Sequence, residues 1–146
     1  SRDDLHAEQF IRIIESIERI YVDMETLKRT IYDNLDSEVF PLYLANMEPF
    51  YKRISIVFDE VSNQFSTDNA NSEEISSIIE GIEEYRIKFR DSGIWRTFKP
   101  GDIEQSVLVA TSIDSLLDAL NQISKAISEI NHSSMDTKPV LQTKEA

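Results

Sequence analysis

Between Phe10 and Leu35 the chain reads FIRIIESIERIYVDMETLKRTIYDNL, and the spacing of its apolar residues decides the fold. Phe10, Ile13, Ile17, Ile20, Met24, Leu27 and Ile31 follow one another at alternating steps of three and four. That is the helical period rather than the two-residue period of a strand, and it places these residues at the a and d positions of a heptad. Ile14, Tyr21 and Leu35 fall at e and widen the stripe, which suits a globular bundle better than an isolated two-stranded coiled coil. The spacing predicts a first helix from about Asp4 to Leu35, with Asp3 and Asp4 complementing the dipole at its start.

The same period recurs downstream. After a break at Asn34 to Ser37, Pro41 and Pro49 confine the second helix to a short entry turn and a main body from about Pro49 to Phe65, because proline is tolerated only in a first helical turn. In that body Met47, Phe50, Ile54, Val57 and Val61 repeat the spacing, with Tyr51, Phe58 and Phe65 one step on. Ser66 to Ser72 is polar and reads as a loop, and Asn71 with Glu74 reads as a capping box that opens a third helix with Ile75, Ile78, Ile82, Tyr85 and Phe89 on its inner face. A fourth helix is expected from a cap at Asp102 to Asn131, with Ile113, Leu116, Leu120, Ile123, Ile127 and Ile130 in register. Ile17, Leu27, Ile54, Ile82 and Leu120 are all expected in one core.

Four amphipathic helices with short early loops imply an all-α, antiparallel up-down-up-down four-helix bundle. The connector Asp91 to Gly101 is expected to run extended between the third and fourth helices, with Ile94, Trp95 and Phe98 closing the core. Residues 1–131 are expected to form one domain, and residues 132–146, which lose the period, a mobile C-terminal tail.

Composition narrows the functions open to such a domain. The 146 residues carry 27 acids against 15 bases, a net charge of −12, with 40% hydrophobic residues and no cysteine. Disulfides, thiolate metal sites and cysteine nucleophiles are excluded. The acidic balance disfavours nucleic acid and anionic membrane surfaces, since phosphate is attracted to cationic surfaces. No apolar run approaches the roughly 18 residues of a membrane span. SRDDLHAEQF at the start lacks the apolar stretch of a secretory signal, so the expected compartment is the cytoplasm.

Reactive constellations are few. His6 and His132 lack a histidine or carboxylate partner at i+4 on a buried face, so neither a zinc site nor a Ser-His-Asp arrangement is expected. Gly81, Gly93 and Gly101 form no phosphate-cradling loop. The pairs Glu15 with Glu18 and Glu80 with Glu83 have an ExxE spacing that resembles the metal-binding motif of all-helical nucleotide pyrophosphohydrolases. Register argues against a metal there: each pair falls at f and b, facing water. No catalytic residue, metal or cofactor is therefore expected.

Charge is unevenly spread. From Ile54 to Tyr85 there are eight acids and no base, whereas Arg86 to Lys99 holds five bases against Asp91 alone. Helix-dipole complementarity accounts for Arg86, Lys88 and Arg90 at the end of the third helix, but not for Arg96 and Lys99, which flank Trp95 and Phe98 beyond it. Arg86, Lys88, Arg90, Trp95, Arg96 and Lys99 are accordingly the expected partner-binding residues. Val107 and Leu108, adjacent and off the stripe, mark a further patch. The function expected is a noncatalytic protein–protein interaction module of adaptor, accessory or immunity type, its partner another protein or a second copy of itself. The alternatives are a Mg²⁺-dependent all-α nucleotide hydrolase using Glu15, Glu18, Glu80 and Glu83, and a sensor domain cut from a membrane receptor.

Overall fold

The computed structural model describes residues 2–66 and 72–135. Within them the chain forms α1 (Arg2–Asp33), α2 (Phe40–Asn46), α3 (Glu48–Ser66), α4 (Ser72–Asp91), a 3₁₀ turn at Ile94–Thr97 and α5 (Pro100–Met135). The described residues contain no strand, as the three-four spacing requires.

The punctuation follows the residues predicted to cause it. After α1, the Ser37 hydroxyl accepts from the backbone N–H of Phe40 at 3.1 Å and that of Val39 at 3.3 Å, satisfying two donors that α2 leaves orphaned. Proline at position 41 sits in the first turn of α2, and Pro49 sits in the first turn of α3, with Met47 between the two helices. Asn71, the expected cap of α4, lies outside the described residues. Gly93 turns the chain after α4 with φ of 75°, a conformation in which any other side chain is strained. The connector is therefore not extended: it folds into the 3₁₀ turn. α5 then starts at Pro100, earlier than the expected cap. Asp102 caps it from inside the first turn, its Oδ2 accepting from the Lys99 N–H at 3.3 Å. At the far end α5 continues through Met135, so His132 to Met135 belong to the helix and not to a tail. Residues 136–146 of the expected tail lie outside the described residues.

α5 is the hub. It packs against α1, α2, α3 and α4, while α1 packs chiefly against α5. Asn34 Nδ2 donates to Gln105 Oε1 at 2.9 Å, and Arg19 bonds the Ser115 carbonyl at 2.9 Å and Asp118 at 2.5 Å. Low positions of α1 thus meet high positions of α5, and the two run antiparallel. Ser76 to Asn121 and Arg86 to Asp114 give α4 the same sense relative to α5.

That register explains a departure from expectation on α1. Its buried face is Gln9, Ile13, Ser16, Ile20, Asp23 and Thr30, with Leu27 partly buried. The part of α5 that α1 packs against is itself lined by Val109, Ser112, Leu116, Ala119, Ile123 and Ala126, all buried. Both helices thus bring alternating large apolar and small or polar residues to their shared face, as close packing allows. The a and e residues predicted as core, Phe10, Ile14, Ile17, Tyr21, Met24 and Leu35, are instead exposed, Ile17 by 41% and Tyr21 by 71%. The cause is that α5 occupies the d side of α1, and among the described helices only α3 approaches the a and e side, leaving a depression between them.

Elsewhere most of the predicted core holds; the side chains of Phe50, Tyr85, Phe89 and Ile94 lie outside those the structure describes. Val57, Val61, Ile75, Ile82, Ile113, Leu116, Leu120, Ile123 and Ile127 are buried together, with Leu27, Ile54, Ile78 and Ile130 packed against them. Phe65 is exposed.

Candidate functional site

The last turns of α4, the 3₁₀ turn and the first half of α5 enclose a cleft of about 930 Å³, floored by Tyr43 and Met47 from the α2 segment. Each wall has a local cause. Gly93 reverses the chain so that the 3₁₀ turn lies back beside α4. The Trp95 indole N–H then donates to the Arg90 carbonyl at 3.0 Å, occupying one of the orphan acceptors at the α4 C-terminus. The Arg96 guanidinium lies 5.7 Å from the centre of the Trp95 ring, within cation–π range. Phe98 meets Tyr43 edge-on, ring centres 5.8 Å apart, and this contact pins the connector to the core.

The floor is polar only at one point. The Tyr43 hydroxyl donates to the Ser106 carbonyl at 3.3 Å. Burial pushes the Tyr43 phenol well above its ordinary range, the neighbouring Tyr51 adds to this, and Arg86 opposes it. Burial raises the Tyr51 phenol as well. Both are therefore neutral hydroxyls at physiological pH. Met47, Phe98, Ile103, Val107 and Ala110 supply an apolar lining.

The rim is cationic. Arg86, Arg90 and Arg96 border the cleft against Asp91 and Asp114. Arg86 is held from two sides, by Glu83 at 3.2 Å and by Asp114. Arg90 leans on its neighbour Asp91 at 3.8 Å, an exposed pair of little energetic weight. Among the described residues Arg96 has the Trp95 face and no carboxylate partner.

Four of the six residues predicted for partner binding, Arg86, Arg90, Trp95 and Arg96, thus converge on one cleft. Lys88 and Lys99 are exposed but line no part of it. Trp95 is 48% exposed, so of the aromatics predicted to close the core Phe98 does so and Trp95 does not. Sequence reasoning did not single out Tyr43, Met47, Ile103, Ser106, Ala110 or Asp114 for this site. Val107, noted as apolar off the α5 stripe, was the one available signal, and it forms a wall of the cleft.

No family model, curated protein or solved structure matches the chain. Function therefore rests on the arrangement of these side chains.

The other candidate residues do not line the cleft. Glu15, Glu18 and Glu80 are exposed on α1 and α4, and Glu83 is engaged with Arg86. His6 and His132 come to the same end of the α1–α5 pair. Among the described residues no group of three or more histidine, aspartate or glutamate side chains is placed to hold a metal ion. The described helices include none long and apolar enough to cross a membrane.

A second depression, of about 450 Å³, lies between α1 and α3. Its walls are Ile17, Tyr21 and Met24 on one side and Phe58, Val61 and Phe65 on the other, over Leu120 and Ile123.

Proposed function

We propose that this chain is a noncatalytic interaction module that binds a protein segment in the cleft beside the 3₁₀ turn. The observation that carries the reading is the combination of an apolar floor with three arginines and a half-exposed tryptophan at its rim. Such a site suits a segment that buries a large apolar side chain and presents acids to Arg90 and Arg96. Tryptophan and arginine are the residues most often found as anchors in protein interfaces. Complementary charge orients the partner and speeds encounter. We read the scaffold as an up-down-up-down bundle in which α2 and α3 together make one arm, and the pairings of α1 and α4 with α5 support that reading.

The test is selection of random twelve-residue peptides on the whole chain, followed by titration of the winners against Trp95 fluorescence. Enriched peptides should combine acidic with large apolar residues, shift the emission of the chain's one tryptophan, and weaken at least tenfold when Arg90 and Arg96 are both changed to Glu. Enrichment of peptides without acids, or binding indifferent to the double charge reversal, would refute the reading.

A further inference from the structure

The exposed face of α1 is patterned from Asp3 to Lys28, beyond which the next a residue, Ile31, turns back to the core. At the a and e positions it runs Asp3, Ala7, Phe10, Ile14, Ile17, Tyr21, Met24 and Lys28, all of them exposed. A solvated helix face needs no such order. Read against its own reversal, the stripe is self-complementary: Asp3 falls opposite Lys28, Ala7 opposite Met24, Phe10 opposite Tyr21, and Ile14 opposite Ile17. Opposite charges meet at the ends, a small residue meets a large one, aromatic meets aromatic, and two isoleucines close the middle.

We infer that the a and e face of α1 is a homodimer interface, in which two copies lay their α1 helices antiparallel about a two-fold axis passing between Ile14 and Ile17. A two-fold interface requires one patch that complements itself, and this stripe meets that requirement in sequence and in charge. The area is sufficient. Residues of this size present roughly 200 Å² each. Phe10, Ile14, Ile17, Tyr21, Met24 and the adjacent Phe65 of α3 are exposed by 41% to 71%. Together they leave about 650 Å² to cover per copy, close to the roughly 800 Å² per partner of a standard interface before the polar rim is added. The interface is distinct from the arginine-rimmed cleft. Salt does not weaken it: each copy carries −12, so salt screens the mutual repulsion while leaving the apolar seam intact.

Sedimentation equilibrium at about 100 μM should give twice the 16.8 kDa chain mass, and the dimer should persist or tighten in high salt. Tyr21→Glu should yield a monomer with unchanged helical circular dichroism, whereas Arg90→Glu with Arg96→Glu should leave the dimer intact. The absence of native cysteine allows the register to be read directly. An oxidised mixture of Phe10→Cys and Tyr21→Cys chains should cross-link to each other. Neither variant alone should do so, because like positions then lie about 16 Å apart along the helix axis, beyond disulfide reach. A monomer at this concentration overturns the inference, and so does efficient cross-linking of Phe10→Cys alone, which would signal a parallel pairing.

Discussion

α1 and α5 are the two long helices of this protein, both apolar at three-four spacing, yet they spend that pattern differently. α5 touches every other helix and buries nearly the whole of its inner stripe, down to fully enclosed Val109, Leu117, Leu120 and Ser124. α1 meets chiefly α5. It turns one seam of large residues alternating with Gln9, Ser16, Asp23 and Thr30 toward its partner, and leaves its more apolar seam outside. Periodicity states that a face is apolar. How many helices arrive to cover that face is decided by the rest of the chain.

This contrast predicts unequal responses to substitution. The largest effect is expected in α5: Leu120→Ala, at a site enclosed by several helices, should lower the unfolding free energy by about 2 to 5 kcal/mol in urea melts. A loss below about 1 kcal/mol would mean that α5 is less central than its packing indicates. A smaller effect of opposite sign is expected on α1. Asp23 is buried, and its Oδ2 has no hydrogen-bond partner. Asp23→Ala removes that unsatisfied atom and improves helix propensity, so thermal stability should rise by about 1 kcal/mol. Destabilisation there would show that the carboxylate has a partner worth keeping.

Much of the fold was legible because its causes are local. Proline at 41 and 49, the off-period break after Asp33 and the three-four spacing within each helix identify the helices from the sequence, with ends displaced by a few residues where caps act from unexpected positions, as Asp102 does. The rotation of α1 was not legible. Its a, d and e residues and its d and g residues both form acceptable seams, and only the Asn34–Gln105 and Arg19–Asp118 pairings, which join residues far apart in sequence, choose between them. The cleft was legible from its charged rim, since five bases in fourteen residues stand out in an acidic chain. Its floor was not, because Tyr43 and Met47 reach it through the packing of α2 against α5, and their own segment reads simply as core.

The central claim, that α1 holds the fold with one seam and presents the other, is tested most directly by comparing Ile20→Ala with Ile17→Ala. Both remove the same atoms from neighbouring turns of one helix. The comparison belongs in a Tyr21→Glu background, where the chain is expected to be monomeric. Ile20 is buried and Ile17 is not. Urea unfolding should show a loss of about 2 to 4 kcal/mol for Ile20→Ala and less than about 1 kcal/mol for Ile17→Ala. An equal or greater loss at Ile17 would contradict the account and place the a and e face of α1 inside the core.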